Sequence, residues 1–127
     1  MSTMSETIDS TISNEIKLIR QKYPDRVPCI VKPKGKSLPT LTKKKFLVPQ
    51  DLTLGNFTFT VRKYFERSIN ETESLYWFCN DKSGKPTLLS MNILMSELDR
   101  KMNNGDILII YCASENTFGS TINNYIN

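Results

Sequence analysis

The stretch Lys43-Lys44-Lys45-Phe46-Leu47-Val48-Pro49-Gln50-Asp51-Leu52-Thr53-Leu54-Gly55-Asn56-Phe57 constrains the fold more than any other part of the chain. Lysines lead into a short apolar strand, a turn containing Pro49 closes it, and a helix capped by Thr53 follows at once. Leu54, Phe57, Val61 and Phe65 recur at helical spacing, so the helix is expected to run to about Arg67 with that stripe buried. So short a strand is not fully covered by its own helix. Cationic stems and apolar side chains therefore share one exposed edge, suited to taking up an extended peptide.

The flanking segments read as support for that edge. Ile8, Ile12, Ile16 and Ile19 keep helical spacing within Ser5–Gln21, and Tyr23-Pro24 ends the helix because a residue before proline leaves the α region. Arg26–Lys32 is expected as a strand, with Val27, Cys29 and Val31 on one face and Pro28, Ile30 and Lys32 on the other. Pro28 cannot donate to a ladder, which points to an edge strand. Lys34-Gly35-Lys36-Ser37 is a turn, and the return strand lies within Leu41–Val48. Beyond the helix come a polar loop, Ser68–Ser74, an aromatic strand, Leu75–Cys79, and a turn, Asp81–Lys85. A shorter helical segment over Met91–Met102 offers Ile93, Leu94, Leu98 and Met102 for packing, and Asn103-Asn104-Gly105-Asp106 stops it. Ile107–Cys112 is a buried-type strand, and the tail from Ala113 to Asn127 is polar.

Helix, strand, strand, helix, strand, short helix, strand is the layout of an α+β roll with helices on one sheet face. A ubiquitin-like β-grasp with an N-terminal helical extension satisfies it. The expected division is an extension over 1–22, the β-grasp over 23–114 and a flexible tail over 115–127.

Composition narrows the chemistry. A chain of 127 residues is long enough for one real core and fits one domain. The apolar run Ile107–Ala113 is far shorter than the roughly 20 residues that span a bilayer, and the polar N-terminus has no signal-like apolar region. The 3 cysteines, Cys29, Cys79 and Cys112, are too far apart for a zinc motif and too few for a disulfide framework, and their apolar strands make them core residues of a cytoplasmic protein. With no histidine, Ser-His and Cys-His nucleophilic pairs are impossible within the chain. The acids are scattered, and Ser83-Gly84-Lys85 lacks the rest of a phosphate loop. The expectation is a non-enzyme without catalytic residues, cofactor or metal. Most of the 17 Lys and Arg residues fall between Lys17 and Lys45, where Asp25 is the one acid. Such a basic face could attract nucleic acid, anionic lipid or acidic peptides, and charge alone does not choose. Tyr76-Trp77 could stack bases, although strand alternation puts at least one of the two in the core.

Three ordered motifs carry a resemblance: Leu18-Ile19-Arg20-Gln21-Lys22-Tyr23-Pro24-Asp25-Arg26-Val27-Pro28, then Lys43–Phe57, then Glu115-Asn116-Thr117-Phe118-Gly119. From about Glu15 to Gly119 the chain resembles the autophagy ubiquitin-like modifiers, the group containing GABARAP. The resemblance implies cleavage after Phe118-Gly119 by a dedicated cysteine protease, then passage through ubiquitin-like activating and conjugating enzymes onto phosphatidylethanolamine. It implies a monomer, cytoplasmic until lipidated and then on the autophagosome membrane, active in membrane expansion and in recruiting cargo receptors with aromatic-x-x-aliphatic motifs. Nucleic acid is not among the partners it implies. A glycine end suits the chemistry, because without a Cβ its carbonyl can be approached closely.

Position by position, Glu15, Ile19, Pro28, Ile30, Lys45, Leu47 and Ile107 match an aromatic-binding pocket, and Phe46, Val48, Pro49, Leu52, Phe57, Thr60 and Val61 match an aliphatic-binding pocket. Lys43, Lys45 and Arg26 would meet acids flanking the peptide motif. The chain departs from the pattern where Ile107 replaces a Phe, Cys112 a Tyr and Thr60 a Leu. Asp9, Ile12 and Ser13 stand where the first helix usually has a Phe and paired basic residues, which puts N-terminal tethering roles in doubt. Thr60 is expected to border the aliphatic pocket and weaken aliphatic anchors three- to tenfold relative to leucine, on the basis of about 0.8 kcal/mol per buried methylene; the alternative is that it faces solvent, or bonds a carbonyl one turn back, and matters little. Two alternatives remain: a ubiquitin-like binding module that never loses its tail, and a basic nucleic-acid-binding domain.

Overall fold

A computed structural model describes residues 13–35, 38–67, 69, 75–103, 105 and 107–114. Helix α1 occupies 13–22. It is followed by β1 (Arg26–Lys34), β2 (Lys45–Pro49), α2 (Leu54–Arg62), β3 (Leu75–Asn80), β4 (Pro86–Leu88), α3 (Met95–Met102) and β5 (Leu108–Ser114). The strands form one 5-stranded sheet in the order β2-β1-β5-β3-β4. β1 runs parallel to β5, and the other neighbouring pairs are antiparallel.

Strand alternation divides the sheet's two faces. Val27, Cys29, Val31, Val48, Trp77, Cys79, Leu108, Ile110 and Cys112 turn to one side and form the main core with Leu54, Phe57 and Val61 of α2 and Met95 and Leu98 of α3. Val31, Leu54, Val61, Met95, Leu98, Leu108 and Ile110 have no exposed surface, and each such apolar side chain stabilises by about 1.5–3 kcal/mol. Phe78 and Ala113 are buried on the opposite side with Tyr76 and Tyr111, and the Phe78 and Tyr111 rings stack at 5.4 Å. Trp77 is 4% exposed, so it is core and not a stacking platform.

The expected stripe Leu54, Phe57, Val61 and Phe65 is buried, and Thr53 caps α2 by accepting from the Asn56 N–H at 3.2 Å. Several boundaries differ from the sequence-based ones. α2 ends at Arg62 rather than near Arg67, because the chain leaves the helix to bond the segment before β2. The Tyr64 carbonyl accepts the Thr42 N–H and hydroxyl, Glu66 N–H donates to the Thr40 carbonyl, and Leu41 bridges Phe65. Those bonds hold 40–42 beside the end of α2, and β2 starts at Lys45. α3 starts at Met95 rather than Met91, since the preceding residues serve α2 instead. The first amides of a helix lack partners within it, and here Leu54 N–H donates to the Ile93 carbonyl and Gly55 N–H to the Met91 carbonyl, both at 2.9 Å. A Cβ on Gly55 would sit 3.2 Å from that Met91 oxygen, so the approach depends on glycine. Leu94 is 43% exposed and not a packing residue. β1 continues through Pro33 to Lys34 and β5 through Ala113 to Ser114. The strand β4 was not anticipated; only three residues long, it has too little pattern to read.

Pro28 does not mark an edge strand, for β1 lies between β2 and β5. The bonds Val31 N–H to Lys44 O and Gln50 N–H to Asp25 O set the register's parity. Pro28 and Leu47 are then a pair whose backbone polar groups point away from each other. The missing N–H of Pro28 faces the β5 side, one position before the parallel ladder begins at Cys29–Leu108, where no bond is lost. The edge strand is β2, as the opening stretch requires.

Candidate functional site

A cavity of about 530 Å³ opens between α1 and the β1–β2 edge, lined by Glu15, Ile16, Ile19, Tyr23, Pro28, Cys29, Ile30, Lys45, Phe46, Leu47 and Ile107. Its floor follows from register: Pro28 stands opposite Leu47 and Ile30 opposite Lys45, on the sheet face turned away from α2. α1 closes the other side. Ile16 is 8% exposed and Ile19 37%, so one is anchored while the other forms a wall. Every residue assigned from sequence to the aromatic pocket lies in this one cavity, and Phe46 borders it too. Ile16, Tyr23 and Cys29 were missed. The 16, 19, 23 spacing on one helix face could have shown the first two; Cys29 was read as core, which at 1% exposure it also is.

The rim is polar. Because Leu47 does not bond β1, its N–H and C=O face outward from the sheet edge, free in direction to meet another strand. Arg26 is exposed and its Nη1 donates to that Leu47 carbonyl at 3.3 Å. Lys45 is exposed and lines the cavity, as does Glu15 of α1. Lys43 Nζ lies 5.0 Å from the Phe46 ring centre and 5.2 Å from that of Tyr64, so its cation rests on aromatic faces.

The residues assigned to an aliphatic pocket sit around the other side of β2. Phe46 packs edge-on against Phe57 at 5.2 Å and against Tyr64 at 5.6 Å. Val48, Phe57 and Val61 are buried in the core, whereas Pro49 and Leu52 are half-buried. Thr60 is exposed, and its hydroxyl donates to the Asn56 carbonyl one turn back at 3.3 Å. The polar penalty expected for Thr60 therefore has no free hydroxyl to act on. Phe118 and Gly119 lie outside the described residues.

Burial pushes the thiols of Cys79 and Cys112 up to about 12, and burial with the nearby Cys79 and Asp99 holds Cys29 well above its ordinary value, so all three stay protonated. Among the described residues no group of His, Cys, Asp and Glu side chains is placed to hold a metal ion, and no helix is long and apolar enough to cross a membrane. What the geometry offers is an apolar slot beside an open strand edge with cations along its rim.

The β2-β1-β5-β3-β4 sheet with α2 across it, and an apolar slot beside its open edge, define a ubiquitin-like fold. Comparison with known proteins makes this specific. The family model for "Autophagy protein Atg8 ubiquitin like" matches residues 11–119, and the chain belongs to that family. It is 37% identical to autophagy-related protein 8a of Arabidopsis thaliana, over 92% of this chain and 91% of the relative. It is 38% identical to autophagy-related protein 8 of Schizosaccharomyces pombe, over 84% of each. Among solved structures it is similar to ATG8 of Trypanosoma brucei, with TM-score 0.70 and 27% identity over 84% of this chain and 87% of the other. It is also similar to Plasmodium falciparum Atg8, solved in complex with a Plasmodium falciparum Atg3 peptide, with TM-score 0.70 and 25% identity over 90% and 98%. The protein is thus an autophagy ubiquitin-like modifier with an α+β fold and an N-terminal helix.

Proposed function

We propose that the chain is cut after Gly119, passed through ubiquitin-like activating and conjugating enzymes, and joined to phosphatidylethanolamine on the autophagosome membrane. There it takes part in membrane expansion and holds receptors carrying aromatic-x-x-aliphatic motifs. It performs no catalysis itself. The observation that carries the proposal is the cavity between α1 and the outward-facing backbone of Leu47. An extended peptide would add to β2, seat its aromatic side chain in the slot and place flanking acids near Lys45, Lys43 and Arg26. The aliphatic side chain would rest near Leu52 and Pro49, the half-buried members of the second set. The Plasmodium relative in complex with an Atg3 peptide supports a conjugating-enzyme segment as one occupant. A two-chain lipid would give stable anchoring, where one acyl chain would not.

Intact mass of the protein from its own cells tests the processing. A form ending at Gly119, with a fraction heavier by one phospholipid, is expected, and Gly119→Ala should abolish both that form and membrane recovery. A chain that stays full length while still binding aromatic-x-x-leucine peptides would instead be a binding module that is never conjugated.

A further inference from the structure

α1 walls the cavity through Glu15, Ile16 and Ile19. Among residues 13–22 Ile16 is the one buried residue, while Leu18 is 63% exposed and Ile19 37%. Ser13 and Asn14 are modest helix formers, so propensity alone does not hold this part of α1. Its placement must come from packing and from specific bonds.

One such bond crosses the fold. Arg20 on α1 meets Asp99 on α3 fork to fork, Nη1 to Oδ2 and Nη2 to Oδ1, both at 2.9 Å. The side chains are 28% and 13% exposed, so the pair is partly withdrawn from solvent. A bidentate arginine–carboxylate contact fixes both distance and angle, unlike a lysine point charge. Arg20 lies one residue beyond Ile19, whose side chain walls the cavity. Asp99 stands near Cys29, part of the cavity lining, close enough for its charge to act on that thiol.

We propose that Arg20 and Asp99 are positioning residues for the aromatic slot: their paired contact clamps α1 to α3 and thereby sets the gap between Ile19 and the Pro28–Leu47 floor. The proposal rests on the cavity being where the peptide's aromatic side chain binds. An unclamped α1 leaves an aromatic ring with one wall instead of two, whereas Leu52, beside which the aliphatic side chain would rest, does not line that cavity. The clamp therefore governs the contribution of the aromatic residue and not peptide binding in general.

The test is a titration of the full-length protein with two acidic-flanked peptides, Trp-x-x-Leu and Ala-x-x-Leu, for wild type, Asp99→Asn and Arg20→Gln. Asp99→Asn keeps the side chain's shape, Arg20→Gln removes the pair from the other side, and thermal melts show which variants are folded. The ratio of the two affinities isolates the aromatic contribution. It should fall about three- to tenfold in each variant, as for coupled residues worth about one decade or less, with Ala-x-x-Leu binding unchanged. A general loss of fold would weaken both peptides alike and leave the ratio where it was, which overturns the clamp. So does an unchanged ratio in a well-folded Asp99→Asn protein. If wild type shows no preference for the tryptophan peptide, the cavity is not the aromatic site and the clamp falls with it. If wild type shows the preference and the variants keep it, the cavity assignment stands and the clamp alone is wrong.

Discussion

Pro28 stands opposite Leu47 across the β1–β2 ladder, and both side chains line the same cavity. The pairing reconciles a proline in an inner strand with an open edge on its neighbour. At this register neither residue needs the other's backbone, so Pro28 forfeits no bond, and the N–H and C=O of Leu47 are left pointing outward. The floor of the slot and the outward-facing backbone of the sheet edge thus come from one feature of register.

Under the proposed strand addition, Lys45 and Leu47 should divide peptide binding between them. Lys45 is exposed at the rim, so it acts through charge, whereas Leu47 is half-buried in the floor. Lys45→Ala should weaken an acidic-flanked aromatic-x-x-leucine peptide about two- to fivefold at low salt and less at high salt, because exposed charge is screened. Leu47→Ala should cost about tenfold at both, matching the loss of roughly two buried methylenes or more. Titrations at two ionic strengths decide this, and identical salt dependence in the two variants would refute the division.

Cys79 and Cys112 predict how stability depends on pH. Their folded thiols titrate at about 12, against an ordinary 9.0. Below pH 9 both states hold the protons and the thiols give no pH dependence. Between 9 and 12 the unfolded chain loses protons that the folded chain keeps, so unfolding is favoured as pH rises. Each thiol can remove up to about 1.4 kcal/mol per pH unit in that window. Denaturant midpoints should be flat from pH 7 to 8.5 and drop from 9 upward, and Cys112→Ser or Cys79→Ser should show a shallower drop. Thiol reagents at pH 8 should label the unfolded chain and leave the native one unmodified; rapid native labelling would contradict the burial.

The sequence announced the periodic parts of this molecule and hid the rest. Leu54, Phe57, Val61 and Phe65 announce α2 because a helix repeats its buried face, and Val27, Cys29 and Val31 announce β1 by alternation. The slot was legible only through the family resemblance, which assigned Pro28, Ile30, Lys45 and Leu47 together; alternation alone put Pro28 and Ile30 on one face of β1 but did not say which face of β2 joins them. What escaped depends on distant backbone partners. Met91–Leu94 has helical apolar spacing, yet its carbonyls are taken by Leu54 and Gly55 of another helix. Leu41 looks like part of β2 but bridges Phe65. The Arg20–Asp99 contact joins residues 79 positions apart, and no local pattern records it.

Thr53 should matter to stability and little to ligand. Its hydroxyl accepts the Asn56 N–H, one of the α2 amides with no partner inside the helix. Thr53→Ala should lower unfolding free energy by about 1 kcal/mol, while Thr53→Ser, which keeps the acceptor, should lie within a few tenths of wild type. Chemical denaturation of the three proteins measures it. Equal losses in the alanine and serine variants would assign the effect to the threonine methyl rather than the cap.

Thr60 separates an argument from residue type from one based on geometry. Threonine in place of leucine suggests a shallower aliphatic site and a hydroxyl that a docking peptide must dry. In the structure that hydroxyl already donates to the Asn56 carbonyl, and the residue is exposed on α2. Drying it would not orphan a polar group, and a leucine there would extend into solvent beside a peptide rather than beneath one. Thr60→Leu should consequently change the affinity for an aromatic-x-x-leucine peptide by less than about twofold, under roughly 0.4 kcal/mol. The fold should gain instead, since leucine is the better helix former by about 0.5 kcal/mol and the helix loses a back-bond that tends to bend it. Titration and denaturation of the same variant give both numbers. A threefold or greater gain in affinity would return Thr60 to the wall of the aliphatic site, and the exposed rotamer would then describe only the unliganded protein.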